Sequence, residues 1–390
     1  MLLRSLNLIR RTVLSIALLI LILAALVASL GRYFVPYLSD YREPVLAWLN
    51  QSAPFEIAAA EITGDWHRLS PTIAVRDLHL GPKATGLHVD RAAVTLNLAY
   101  SLWQGKLVFD QLHFSGTTID LLEAENGQWA LQADWLPKNR PPTKPVSVEA
   151  LYSGLDRFIV KAARLNLHRS NGKLIVVDHL NVDYTKQGNE WRIRSDGLPD
   201  KSPLPLNMVV EGIGLPQHEN FSARAYTLIN GFDVSPYLSR ASYRGWTPEL
   251  PRFDGKLWLD FHRGGRVLLQ GVLDLQDIRF NHDDGRQSID IPELKTQFKF
   301  ALGEGNKPSV WLRDLSITLN DEVVTFEQAN LLPSEDGLLA SFDSIEVNPV
   351  LHLLRRFEVL PDQAQEALTI LDPGGELHDI TLFIPEGAKL

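Results

Sequence analysis

Ile73-Ala74-Val75-Arg76-Asp77-Leu78-His79-Leu80 sets apolar side chains two residues apart, interrupts them with a polar pair, and resumes. A spacing of two belongs to a strand with one apolar face. The step of three from Val75 to Leu78 would turn that face over unless the backbone takes up one extra residue there. A β-bulge does so, and it bends and twists the strand while its apolar side chains stay on one side. The phrase returns at Leu107-x-Phe109-Asp110-Gln111-Leu112-x-Phe114, Ile175-x-Val177-Asp178-His179-Leu180-x-Val182 and Leu273-x-Leu275-Gln276-Asp277-Ile278-x-Phe280. Three further copies are Val310-x-Leu312-Arg313-Asp314-Leu315-x-Ile317, Val324-x-Phe326-Glu327-Gln328-Ala329-x-Leu331 and Ala340-x-Phe342-Asp343-Ser344-Ile345-x-Val347. The alternative makes each polar pair a hairpin loop over a closed core. Two-residue loops favour Asn-Gly, Asp-Gly and other glycine pairs, and none of the seven pairs contains glycine.

Bent strands repeated in this way predict a mainly β fold, an elongated curled sheet with a continuous apolar trough. The lining would comprise Ile73, Val75, Leu78 and Leu80, then Val94, Leu96 and Leu98, then Leu107, Phe109, Leu112 and Phe114, and Ile175, Val177 and Leu180. It continues through Leu273, Leu275, Ile278, Phe280, Val310, Leu312, Leu315, Ile317, Val324, Phe326, Phe342 and Ile345. His79, His113 and Ser316 alternate with these and fall on the opposite, wetted face.

Arg4, Arg10 and Arg11 precede an apolar run over residues 13–30 in which only Ser15 and Ser29 are polar. Residues 12–30 as a helix span about 28 Å, close to the hydrocarbon thickness of a bilayer. Val13, Leu14, Ile16, Leu18, Ile20, Leu23, Leu26 and Leu30 would face lipid, with Arg32, Tyr33, Phe34 and Tyr37 as an interfacial belt. The competing reading is a cleaved signal peptide ending near Val27-Ala28-Ser29, for which the run is long. The expected organisation is a cytoplasmic flank over 1–11, a transmembrane anchor over 12–32, a membrane-proximal amphipathic helix over 33–54, and an extracytoplasmic β body over 55–390.

The chain has 390 residues, is 45% hydrophobic and carries a formal charge of −9, enough apolar material for a large folded body and no basic face for nucleic acid. Cysteine is absent, so disulfides, thiolate metal sites and cysteine nucleophiles are excluded. Proline-rich breaks are expected at 137–145, 198–206 and 246–251, and short helices over 148–158, 348–357 and 362–371. A strand resumes at Leu377 and the chain stops soon after, which predicts the N-terminal portion of something longer, because proteins cover an apolar-faced edge.

Two blocks carry a family resemblance. Ala60-Glu61-Ile62-Thr63-Gly64-Asp65-Trp66 followed by Pro71-Thr72-Ile73-Ala74-Val75-Arg76-Asp77-Leu78-His79-Leu80-Gly81-Pro82, after the N-terminal anchor, resembles the opening of the AsmA-like proteins. The stretch Ser101-Leu102-Trp103-Gln104-Gly105-Lys106, running on to Gly116 and followed by Asn126-Gly127-Gln128-Trp129, is similar to their next block. The resemblance implies an inner-membrane-anchored, taco-shaped β-groove in the periplasm of a Gram-negative envelope. Its implied cargo is phospholipid moving between inner and outer membranes, with outer-membrane or periplasmic proteins as further partners.

Residue chemistry gives little else. Asp283-Asp284-Gly285-Arg286 reads as a tight turn rather than an acid pair. The histidines show no H-x-x-x-H or H-E-x-x-H spacing, and G-x-S-x-G, phosphate-cradle and dinucleotide patterns are missing. No catalytic residue, cofactor or metal ligand is expected. Two readings remain beside the conduit: a β-solenoid scaffold with a dry core, and an envelope enzyme using the abundant acids.

Overall fold

The computed structural model describes residues 28–390 except 53–54, 68–69, 83–85, 99, 102–107, 125–128, 133–154, 201, 215–219, 236–244, 263–265, 284, 286–287, 303–307, 320–321, 335–336, 357–365, 367, 369, 372 and 386–390, and also residues 18, 22, 25 and 26. Backbone contacts divide the chain into two compact units, Met1–Gln187 and Gly188–Leu390. Both are mainly β.

In the first unit, helical residues 28–34 lead into a 3-10 helix, Val35–Tyr41, and helix α1, Arg42–Ser52. Eight strands follow: β1 (Ile57–Ala58), β2 (Glu61–His67), β3 (Ser70–Leu80), β4 (Leu87–Leu96), β5 (Phe109–Glu123), β6 (Trp129–Leu131), β7 (Leu155–His168) and β8 (Leu174–Gln187). β3 is shared by β1 and β2, and the sheet proceeds β3-β4-β5-β7-β8. β6 takes the edge of β5 where β4 has ended. The β5–β7 pair is parallel, from Phe109↔Leu155 to Leu122↔His168.

The second unit holds β9 (Glu190–Pro199), β10 (Leu206–Ile213), β11 (Ser222–Phe232), β12 (Trp246–Glu249), β13 (Arg252–His262), β14 (Arg266–His282), β15 (Ser288–Leu302) and β16 (Pro308–Leu319). Then come β17 (Glu322–Pro333), β18 (Gly337–Glu346), helix α2 (Val347–Arg356) and β19 (Glu376–Pro385). Here the ladders run antiparallel in the order β9-β10-β11-β13-β14-β15-β16-β17-β18-β19. β12 pairs with the end of β14 beyond β13.

Several expectations change. Trp246–Glu249 is a strand because Pro248 sits at an edge, where its missing N–H costs no ladder bond. Residues 155–158 begin β7 rather than a helix, and 137–145 lie outside the described residues. The helix expected near 348–357 is α2, its Val347 N–H bonded to Gly375 O at 3.0 Å. Residues 366, 368, 370 and 371 are helical, within the second helix expected there. Of the residues expected to form an anchor, Leu18, Leu26 and Leu30 are helical and about half exposed or more, at 59%, 53% and 49%. Val13, Leu14, Ile16, Ile20 and Leu23 lie outside the described residues, among which no helix is long and apolar enough to cross a membrane.

Candidate functional site

The bends come first, because they decide which side chains share a face. Asp77, His179, Asp277 and Asp314, each the second member of a polar pair, have φ of 54°, 53°, 57° and 52°. Asp379 in β19 repeats this at 52°. Asp and His enter this left-handed region more readily than branched or bulky residues do. Neighbouring strands bend at the same level: Arg76 pairs Arg91 and Leu78 pairs Val89, so the extra residue Asp77 stands opposite the extra residue Asp90. The register is thus kept on both sides of the bend. In other ladders it shifts instead, at Thr95/Leu96, Ile229/Phe232 and Lys295/Gln297. Asp110 is the residue skipped in the first of these, and its carboxylate accepts from Asn97 Nδ2 at 2.8 Å.

With the bends in place, the predicted lining falls on one face within each unit. In the first unit the rows are Val75-Ala92-Phe114-Val160-Val182 and Ile73-Val94-Leu112-Phe158-Tyr184. Leu78 lies beside Val89, Leu80 beside Leu87, and Leu96 beside Phe109. Beyond the bend Leu180 pairs Ala163, Val177 pairs Leu165 and Ile175 pairs Leu167. Phe114 and Phe158 meet edge-on at 5.9 Å, which places both rings on that side. In the second unit Leu275-Leu294-Ile317-Val324 and Phe298-Leu312-Ala329-Phe342 form rows. Ile278 pairs Ile291, Phe280 pairs Ile289, Leu273 pairs Thr296, Phe326 pairs Leu315, Val310 pairs Phe300 and Ile345 pairs Leu377.

Two residues do not join the strands as expected. Leu98 lies in a helical turn, because Asn97 caps it by accepting Tyr100 N–H at 2.8 Å. Leu107 lies outside the described residues.

The face is unevenly covered. Phe109 is 37% exposed and most of the lining is partly covered, whereas Ile175, Leu275, Ile278, Ile317, Val324 and Phe326 are buried. The last five belong to a cluster with Trp246, Ile289, Ile291 and Leu319, against which Val350 of α2 packs. In the first unit Leu46 of α1 packs on Ala59 and Ile62, with Ile73 and Val75 beside them. α1 is tied to the sheet by Arg42 Nη1 donating to Ala60 O at 2.6 Å and by Asn50, which accepts from Ile57 N and donates to Ile57 O. Helix α1 therefore covers one end of the apolar face in this unit.

The reverse face is polar and held by cross-strand ion pairs: Arg76 with Glu61 at 3.0 Å, Arg157 with Asp183 at 2.8 Å, Arg224 with Asp260 at 2.7 Å and Arg279 with Asp290 at 2.9 Å. His113 lies there, and burial, with Lys161 and Arg91 nearby, holds its pKa below the ordinary histidine value. A depression of about 580 Å³ between Trp258 and Trp311 is also on this side, with Lys299 Nζ 4.9 Å from the Trp311 ring, so it is no part of the apolar face. Sequence reading missed one constellation there, Asp77, His79 and His88, because its members come from two strands.

A family model described as YhdP protein matches residues 1–390. No curated protein and no solved structure matches the chain. With the match spanning every bent strand described above, the chain belongs to the YhdP family.

Proposed function

We propose that the apolar face is a lipid-conducting groove, with acyl chains lying along it and headgroups remaining in water at the open seam. The observation that carries this reading is the set of rows in each unit, apolar from strand to strand through every bend and only partly covered over much of their length. Each methylene withdrawn from water is worth about 0.8 kcal/mol. A lining of near-uniform chemistry therefore holds a chain without one deep trap, and movement along it needs no chemical step. Family membership and the large open sheets agree with a lipid-transport role. Phospholipid as cargo, passage between inner and outer membranes, single-pass anchoring and a periplasmic body are parts of the proposal.

One observation favours a scaffold at one end of the second unit. Ile278 and Val324 are only 2% and 3% exposed, so that stretch is a closed core and not a groove wall. The two readings separate by position. Full-length protein purified in detergent should carry phospholipid detectable by mass spectrometry, and Phe109→Asp protein should carry severalfold less. The N-terminal segment is common to both proteins, so lipid held there cancels. Equal lipid in the two would reject the groove at Phe109.

A further inference from the structure

The polar side of β3 and β4 gathers a set of side chains for which a lipid groove has no use. Asp77-Leu78-His79 runs toward the connection between these strands and His88-Val89-Asp90 runs away from it, a mirror-image pair of sequences. The ladder sets His79 directly beside His88. Their rings stack with centroids 4.5 Å apart and planes 30° from parallel. Asp77, turned by its left-handed backbone, brings Oδ1 to 2.7 Å from His88 Nε2 and 3.3 Å from His79 Nε2. All three atoms lie within 4.8 Å of one another.

The geometry points to a divalent metal site of the zinc class, ligated by Asp77 Oδ1, His79 Nε2 and His88 Nε2, with the remaining position open to water. Ligands about 2.0–2.1 Å from a tetrahedral ion are about 3.4 Å from each other. The longer contact already has that separation. The shorter one is a hydrogen-bond distance that a small rotation of an exposed carboxylate extends. Two imidazoles and one carboxylate suit Zn²⁺ and its late first-row neighbours, while Ca²⁺ and Mg²⁺ ask for oxygen throughout. Behind the site, Asp90 Oδ1 stands 3.8 Å from His88 Nδ1, on the side where a carboxylate orients a metal-bound histidine. Asp90 is itself placed by Gly116, whose φ is 64° and where an added Cβ would fall 1.8 Å from Asp90 Oδ2. An ion here would clasp β3 to β4 across the bend, on the opposite side of the sheet from Val89, which is 1% exposed.

The test is calorimetric titration of Zn²⁺ into full-length protein in detergent, stripped with chelator and carrying no histidine tag. One ion per chain is expected, with affinity falling at least about tenfold in His79→Ala and in His88→Ala, and by a similar or smaller factor in Asp90→Asn. His168→Ala, which removes a histidine 3.1 Å from Asp120 on other strands, should leave the titration unchanged. Co²⁺ in place of Zn²⁺ should give the visible absorption of a low-coordinate nitrogen and oxygen site in the wild type, which needs no variant to fold. The proposal fails if the wild type shows no stoichiometric site, or if the His79→Ala/His88→Ala protein, with unchanged circular dichroism, binds Zn²⁺ as tightly. In either case the pair of histidines simply hydrogen-bonds to Asp77.

Discussion

Asp77, His179, Asp277, Asp314 and Asp379 hold φ between 52° and 57° inside strands, and each lets its strand bend without turning its apolar face outward. A left-handed backbone costs a non-glycine residue about 1–2 kcal/mol. Asp277→Gly removes that cost while adding chain entropy of about 0.5–1 kcal/mol to the unfolded state. Its stability should stay within about 1 kcal/mol of wild type. Asp277→Val puts a branched side chain where φ is 57° and should lose about 1–3 kcal/mol in a denaturant titration. If both variants melt alike, the conformation of Asp277 is not what sets the bend. The first four are legible in the sequence, where the step of three demands an extra residue and Asp or His stands at it, whereas Asp379 lies outside the seven copies. The matched bend of the neighbouring strand was harder to see. Leu87-x-Val89-Asp90-Arg91-Ala92-x-Val94 has the same form, but Ala92 is a weak apolar signal.

The 3-10 helix and α1 are placed by glycine as much as by apolar contact. Gly64 of β2 lies on the apolar face opposite Ile73, and an added Cβ there would fall 2.2 Å from Val35 O. Gly64→Leu should therefore lift the 3-10 helix from β2. The expected loss is about 1–3 kcal/mol, as for overpacked cores, with faster proteolysis within residues 33–52. Unchanged proteolysis would mean that this contact does not hold the helix. Sequence periodicity gave the helix but not its seat, because a glycine carries no apolar signal. Leu98 shows the opposite error: its spacing continues β4, yet Asn97 supplies a side-chain acceptor that starts a helical turn and ends the strand. At Trp246–Glu249 the prolines predict a break, yet the segment pairs along the edge of β14.

Across the whole molecule, the lining could be read from the sequence as one set, but its covering could not. Alternation reports which side of a strand is apolar. It does not report what lies over that side, so Ile278 and Phe109 look alike in sequence and differ in exposure, 2% against 37%. The metal-like cluster escaped for a related reason, since His79 and His88 meet only through strand pairing. The central claim is that the partly covered part of the apolar face touches lipid in the cell. Its most direct test is a photo-crosslinking side chain placed singly at Phe109, Phe114, His113 and Ile278 of the full-length protein, followed by mass spectrometry of the adducts. Phospholipid adducts are expected at Phe109 and Phe114, with none at His113 on the polar face and none at Ile278 in the closed cluster. Absence of adducts at Phe109 and Phe114, or equal capture at His113, would contradict a lipid-lined groove.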